Sequence, residues 1–489
     1  MLFVEITYLF CTLLLAIYGL NSLYLIWRFW RTRKRDVPRP PDPDIWPTVT
    51  VQLPIYNELY VIERLLGAVT ALDYPKDRLQ IQILDDSTDE TATVVRRAVA
   101  QYRARGYDIS CIHRHVRRGY KAGALADGLR LARGELIAIF DADFVPSRDF
   151  LCQTVPYFAM PDLGCVQTRW EHVNGDYSTF TRAQAMGIDA HFFVEQAARS
   201  QSDLFMNFNG SGGVWRRECI VSAGGWQGDV LTEDLDLSYR AQLQGWRILF
   251  LSYVSVPGEL PPQMDALRRQ QFRWAKGSIQ TARKLLLPLL CSRQPLRIRL
   301  EGAIHLTNYL VHPIVLVMLL LMLPLSLSPN HLSGLLPYSL LPALGPPLLV
   351  AVAAMQRGKP YRYWPLSMLL LLLIGTGLSL SNAIAVAEAV LGRGSEFQRT
   401  PKFNVRSLHD RWERSIYSLP HDWKPWCELA LSALALMLML FVSVQQKHIP
   451  SPWLAVYTLG YGYVGLLSLS QSWRQRRAPK IRPALAGRM

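Results

Sequence analysis

Four short clusters in this 489-residue chain combine carboxylates, amides and an Arg–Trp pair at spacings that suit the handling of phosphorylated ligands. Asp85-Asp86 closes the run Ile83-Leu84, which reads as a strand end, and Asp141-Ala142-Asp143 follows the apolar run Leu136–Phe140. Residues i and i+2 of an extended segment point the same way, so Asp141 and Asp143 can offer two carboxylates to one cation. Hard divalent ions such as Mg²⁺ or Mn²⁺ prefer oxygen ligands and are often shared between carboxylates and substrate phosphates. A single Asp-x-Asp is also an ordinary turn pattern. Its place at a strand end, with another Asp pair at an earlier strand end, gives it weight.

The other two clusters each have a plainer explanation. Leu231-Thr232-Glu233-Asp234 opens an apparent helix over Leu235–Leu243, and a Thr232 cap with acids favoured by the helix dipole would account for it. Gln270-Gln271-Phe272-Arg273-Trp274 sits on a helix expected from about Gln263 to Leu286. There Gln270, Arg273 and Trp274 share one face at i, i+3 and i+4. An amphipathic helix lying on a membrane, with Arg268, Arg269 and Lys276 beside them, explains the same pattern. An Arg next to a flat Trp equally suits diphosphate and sugar recognition, through bidentate hydrogen bonds and stacking.

These clusters need elements to position them. From Thr48, short apolar or β-branched runs (48–53, 80–84, 109–112, 136–140) alternate with helical stretches near 58–72, 89–105, 120–132 and 148–159. That rhythm predicts a mostly parallel sheet covered by helices on both faces. Ligands of such sheets bind beyond the carboxyl ends of the strands. Motifs at successive strand ends are therefore expected in one crevice.

Composition limits the class. Hydrophobic residues make up 50% and charged residues 19%, the latter below the roughly 25% of soluble domains. Disorder, a collagen-like repeat, a small disulfide scaffold and a purely soluble enzyme are all excluded. The net charge of +15 lies largely beside apolar segments, at Arg28, Arg31, Arg33, Lys34 and Arg35 and at Arg474, Arg476, Arg477, Lys480 and Arg482. Basic flanks of this kind mark the cytoplasmic side of spanning helices. Nucleic-acid binding is not expected, because no recognition module is present. The seven Cys are scattered without a CxxC pair, which fits a reducing cytosolic domain rather than a zinc or disulfide framework.

Leu2 to Trp27 is long enough to span a bilayer. The basic cluster follows it rather than precedes it, so a retained anchor with its N-terminus outside is expected, not a cleaved signal. A stiff Pro-rich connector, 37–43, comes next. Further apolar runs occupy 303–327, 334–356, 364–392, 425–446 and 453–470. Placing the loop 393–424 and the tail both in the cytoplasm requires one run not to cross. The run 364–392, broken by Gly375-Thr376-Gly377 and Ser379–Asn382 and polarised by Glu388, is expected to be re-entrant or interfacial, with a simple crossing as the alternative.

In this order the four clusters resemble the family 2 glycosyltransferases that build polysaccharides at membranes, the cellulose, chitin, hyaluronan and mannan synthases. Val51–Glu58, Gln82–Asp89, Lys121–Leu125, Phe208–Trp215 and Glu259-Leu260-Pro261 are similar to the cellulose-synthase-like mannan/glucomannan synthase branch and its bacterial relatives. Two departures stand out. The long extra cytoplasmic domain of bacterial cellulose synthase is missing, and Arg399-Thr400-Pro401-Lys402-Phe403 stands where its gating-loop sequence would be.

The resemblance implies an α/β nucleotide-sugar-binding (GT-A-like) cytoplasmic domain over 37–290, after an N-terminal transmembrane anchor (1–36). A multi-helix transmembrane region over 291–489, with the cytoplasmic loop 393–424, would follow. It assigns Tyr56, Glu58, Asp85 and Asp86 to the nucleotide base and ribose, and Lys121 to the donor phosphates. Asp141 and Asp143 would handle the sugar diphosphate and its Mg²⁺ or Mn²⁺. Asp234, with Glu233 beside it, would be the general base. Gln270, Arg273 and Trp274 would hold the leaving diphosphate and stack on the acceptor sugar, whose end Asn209, Gly210 and Ser211 would shape.

The expected activity is inverting transfer of a hexose from UDP-glucose or GDP-mannose to a growing β-linked polysaccharide, in a plasma, inner or Golgi-type membrane with the catalytic domain cytosolic. Membrane lipids are expected partners and an export partner is left open. Single transfer to a lipid such as diacylglycerol, ceramide or polyprenol phosphate is the nearer alternative, and a transporter or lipid scaffold with a degenerate domain the more distant one. Among lesser candidates, His113 and His115 could reach phosphates or sit solvated in a loop. Trp170 could line an acceptor channel or simply pack, and His305 and His312 could face a cavity or bond between helices.

Overall fold

A computed structural model describes residues 1–480 except 34, 36, 327–330, 359, 395–396, 421 and 445–451, with backbone only at 331–342 and 361. Lys34 and Arg482 among the expected basic flanks therefore lie outside the described residues. Seven strands form one sheet: β1 (Val49–Ile55), β2 (Leu79–Asp85), β3 (Asp108–His113), β4 (Leu136–Ile139), β5 (Leu163–His172), β6 (Gly213–Arg216) and β7 (Arg247–Gly258). Their order is β3-β2-β1-β4-β6-β5-β7. The β2–β3, β1–β2, β1–β4 and β5–β7 pairs are parallel, whereas β6 runs antiparallel to both neighbours.

The first half follows the expected rhythm. β1 is buried along almost its whole length, as a strand covered on both faces must be. The following helix Ile62–Thr70 buries Ile62, Leu65, Leu66 and Val69, an apolar stripe at helical spacing. The stretch 148–159 does not stay α-helical. It runs as Phe150–Thr154 and then a 3₁₀ turn from Val155, because Pro156 has no N–H to continue the ladder.

Among the described residues, three helices are long and apolar enough to cross a membrane, Leu2–Thr32, Leu296–Ser326 and Lys424–Val444. A fourth crossing is available if Trp364–Gly377 and Ser379–Val390, bent by 44°, count as one broken span. The bend falls within the run expected to be interrupted, and it fits a broken span or a re-entrant loop. Gly377 packs there with no room for a side chain: an added Cβ would lie 2.4 Å from Val464 and 2.5 Å from the Gly460 carbonyl. The expected crossing at 453–470 belongs to the helix Pro452–Arg477, whose Tyr, Gly and Ser residues keep it out of this apolar set. Most side chains of the expected crossing 334–356, within His331–Arg357, begin to be described only at residue 343.

The helix Met264–Leu290 joins the two halves of the molecule. It does not lie loose on a bilayer surface. Arg268 is 3% exposed and donates to both oxygens of Glu428 (3.2 and 2.9 Å) on the apolar helix Lys424–Val444 and to Ser468 (2.9 Å) on the helix Pro452–Arg477. Lys276 is fully buried and pairs with Glu388 at 2.7 Å. Glu388 therefore docks this helix onto the bent pair. Replacing Lys276 with Met is expected to lower stability by about 2–3 kcal/mol, less than the ~3–5 of a fully enclosed pair because Glu388 keeps partial access to solvent. The thermal midpoint of the detergent-purified protein checks this, and an unchanged midpoint would refute it.

Candidate active site

Parallel strands deliver two of the clusters, and the segment Tyr56–Glu58, to one edge of the sheet. β1 runs out into Tyr56, Asn57 and Glu58, β2 into Asp86, and β4 into Asp141 and Asp143. Ile55 sits opposite Asp85 in the β1–β2 register, so the β1 and β2 exits are neighbours by construction. Two helix N-termini complete the edge, Tyr120–Leu131 with Lys121 and Glu233–Leu243 with Glu233 and Asp234. A helix start is a favourable place for carboxylates. Thr232 makes no cap bond with its side chain; its hydroxyl meets that of Thr281 at 3.2 Å on the Met264–Leu290 helix. The cap explanation of this cluster thus gives way to a clasp between two elements.

A cavity of about 160 Å³ lies at this edge. Tyr56, Glu58, Asp86, Lys121, Asp141, Asp143, Asn209, Gly210, Glu233, Asp234, Gln270, Arg273 and Trp274 all line it. Two expected site residues do not. Asp85 is 1% exposed and is turned away, accepting from the Ser87 N–H and contacting His113 Nδ1, both at 2.9 Å. Ser211 is fully buried, and its hydroxyl accepts the Asp141 N–H at 3.0 Å.

Charge inside the cleft is interlocked. Lys121 Nζ donates to Asp141 Oδ1 at 2.6 Å and to the Gly210 carbonyl at 2.8 Å, with Glu233 at 3.7 Å. Burial, reinforced by Glu233 and opposed by Lys121, pushes the Asp234 carboxyl up to about 7. Burial draws the Arg273 guanidinium below its ordinary value, against the pull of Glu233, Asp141 and Asp234. Asp86 is gripped through both oxygens by Arg114 at 2.7 Å. Arg117 lies 3.4 Å above the Tyr56 ring, closing one wall with a cation–aromatic stack. Clusters of perturbed carboxyls in a cleft are a mark of functional sites.

Gly210 shows how tight the arrangement is. Its φ is +84°, and an added Cβ would come within 2.9 Å of Asp234 Oδ2 and 3.3 Å of Lys121 Nζ. Gly210→Ala is expected to cost about 1–2 kcal/mol of backbone strain and at least ~10-fold in turnover by shifting those two groups. Thermal denaturation and initial rates on the same preparation separate the two effects.

The segment after residue 396 adds cleft residues that sequence spacing gave no means to assign. Arg399 pairs with Glu58 at 2.9 Å, and Lys402 reaches Asp143 at 2.8 Å. Glu259 clamps this segment by accepting the N–H groups of Phe403, Asn404 and Val405 at 3.0, 2.9 and 3.4 Å. Burial raises both Glu58 and Glu259 to about 7, against Arg399 and Lys402 at Glu58 and against Lys402 at Glu259. Glu259-Leu260-Pro261 was visible as a motif but without a role. Lys402 lies more than 250 residues from Asp143, too far for any local pattern to link them.

Asp143 Oδ2 takes Lys402 and the Glu259 N–H at 2.8 Å each. Its buried Oδ1 has no hydrogen-bond partner. No group of three or more His, Cys, Asp or Glu suited to a metal occurs among the described residues. An unsatisfied carboxylate oxygen beside Asp141 fits a hard cation that draws its other ligands from phosphate oxygens.

A second cavity, of about 450 Å³, meets the first at Trp170, Asn209, Thr232, Asp234, Gln270 and Trp274. Trp170 faces both spaces and donates its indole N–H to the Ser211 carbonyl at 3.0 Å. His305 and His312 line the second cavity, each also bonded between elements, to Tyr239 at 2.8 Å and Asn382 at 3.0 Å. His113 and His115 line neither.

Comparison with known proteins follows the same lines. The profile of a family described as "Glycosyltransferase like family 2" matches residues 47–277. The chain is 41% identical over 262 residues to glucomannan 4-beta-mannosyltransferase 1 of Oryza sativa subsp. japonica, covering 52% of this chain and 50% of that one. It is 42% identical over 253 residues to glucomannan 4-beta-mannosyltransferase 9 of Arabidopsis thaliana, covering 51% and 48%. The chain thus spans about half the length of the curated relatives it matches. Among solved structures, a mannosyltransferase from Pyrobaculum calidifontis in complex with GDP-Man and Mn²⁺ superposes with a TM-score of 0.57 at 25% identity, over 80% of this chain and all of that one. The seven-stranded sheet with its strand-end carboxylates is the expected GT-A-like fold. Residues 47–277 match the family 2 glycosyltransferase profile, and about half of the chain is related to the plant glucomannan 4-beta-mannosyltransferases.

Proposed function

We propose that this protein is an inverting hexosyltransferase that moves mannose from GDP-mannose onto the end of a growing β-linked polysaccharide. The carrying observation is the junction of the two cavities at Asp234, with Lys121 and Arg273 on one side and, on the other, a space of mixed polar and apolar lining that reaches the apolar helices. The names of the plant relatives and the GDP-Man held by the Pyrobaculum structure support mannose as the sugar.

In this reading Tyr56, Glu58 and Asp86 receive the nucleoside, and Lys121 and Arg273 face its diphosphate. Asp141 and Asp143 would hold Mg²⁺ or Mn²⁺, which when bound supplies positive charge to the leaving group. Asp234 takes the proton of the acceptor hydroxyl as its oxygen bonds to the anomeric carbon and the bond to diphosphate breaks. Attack from the face opposite the leaving group inverts the centre, so an α-linked donor gives a β-linked product. Trp274 offers a flat face to the acceptor sugar. The basic flank Arg28, Arg31, Arg33 and Arg35 supports a cytosolic position for this domain.

The test is incubation of the purified membrane protein with radiolabelled GDP-mannose or UDP-glucose plus Mn²⁺, with products sorted by solubility. Insoluble, β-mannanase-sensitive label from GDP-mannose is the expected result. A single chloroform-soluble product would replace the polymer by a lipid acceptor.

A further inference from the structure

The long helix after β5 changes character midway. It runs α-helical over Thr179–Ala190, widens into a π turn over His191–Gln196, and resumes as α over Ala197–Gln201. Single π turns inside an α-helix occur frequently at functional sites. This one carries His191. The ring contacts Glu195 Oε2 through Nδ1 and Asn209 Oδ1 through Nε2, both at 2.9 Å. Glu195 is steadied by Arg199 at 3.5 Å, which is itself buried against Glu301 at 2.9 Å.

Asn209 is held at three points. Its Oδ1 also accepts from Asn207 Nδ2 at 3.0 Å, and its backbone N–H donates to Gln167 Oε1 at 2.8 Å. Its own Nδ2 makes only a long 3.4 Å bond to the Asn207 carbonyl, which leaves donor capacity on that side. Asn209 borders both cavities beside Asp234, whereas His191 borders only the second. The imidazole thus stands behind the amide.

We propose that His191 is a positioning residue for transfer: anchored by Glu195, it fixes the Asn209 amide so that Nδ2 meets the acceptor sugar next to Asp234. This rests on the polysaccharide-transfer reading above. A hydroxyl must sit within hydrogen-bond reach of its base to react, and a displacement near 1 Å costs about 10²-fold.

The test uses the full-length protein in nanodiscs with GDP-mannose, Mn²⁺ and a β-mannan oligosaccharide. His191→Ala is expected to lower kcat for transfer by roughly 30–100-fold while the donor Kd stays within about threefold. In an Asn209→Ala background, His191→Ala is expected to add nothing further, and His191→Gln, which keeps an N–H donor at similar reach, to recover much of the rate. Independent, multiplying effects of His191→Ala and Asn209→Ala would overturn the proposal, as would a donor Kd that worsens in step with kcat. Should His191→Ala not fold, His191→Gln is compared with the shorter His191→Asn, and equal rates would overturn it. A wild-type protein that transfers nothing from any nucleotide sugar would instead remove the underlying transfer reading.

Discussion

Asp234→Asn is expected to lower transfer by about 10³-fold or more, within the ~10²–10⁴ that a positioned general base supplies, while GDP-mannose still binds within a few-fold of wild type. The amide keeps the size and the neighbours of the carboxyl but cannot accept a proton from the acceptor. The pH profile gives an independent check. Burial and Glu233 hold the Asp234 carboxyl near 7, far above the ordinary aspartate range. The basic form is therefore the majority only above about pH 7, and kcat/KM should fall as pH drops through that region. Any residual rate of Asp234→Asn should lack this acid limb. Wild-type rates in the variant, or an unchanged acid limb, would exclude Asp234 as the base.

Asp143→Asn has the second largest expected effect, a loss of about 10²-fold or more. Asp143 meets Lys402, the Glu259 N–H and, through its unsatisfied Oδ1, the position suited to a cation. The variant removes the charge but not the shape. Electrostatic stabilisation of a departing oxyanion is commonly the largest single contribution to such reactions, worth about 10²–10³ for one well-placed group. Chelation with EDTA should abolish transfer by the wild type and added Mn²⁺ should restore it, whereas Asp143→Asn should need a far higher Mn²⁺ concentration. Full activity in EDTA would refute a role for a divalent ion at Asp141 and Asp143.

Much of the catalytic half was legible in advance because its signals are local. β1 to β4 announce themselves as short apolar runs, and the parallel topology brings the residues just beyond their carboxyl ends together. Asp86, Asp141 and Asp143 follow from that rule without knowledge of a single contact, whereas Tyr56 and Glu58 came only from the family resemblance. β5 to β7 were less visible. β5 carries the polar run Gln167-Thr168-Arg169-Trp170, β6 is four residues long, and β7 departs from regular register near Arg169.

What sequence alone determined is the inventory: apolar helices, a basic flank, and four clusters of the right chemical types, each set by propensity and period within a dozen residues. Tertiary structure alone decided which of these groups share a space. It turned Asp85 toward His113, set Ser211 behind Asp141, made Thr232 a clasp instead of a cap, and brought Arg399 and Lys402 to carboxylates hundreds of residues away. It also changed the Met264–Leu290 helix from a surface element into a strut pinned by Arg268 and Lys276. Long-range ion pairs and missing side chains at Gly210 and Gly377 leave no periodic trace along a chain. Their energies depend on distance and burial, which exist only after folding.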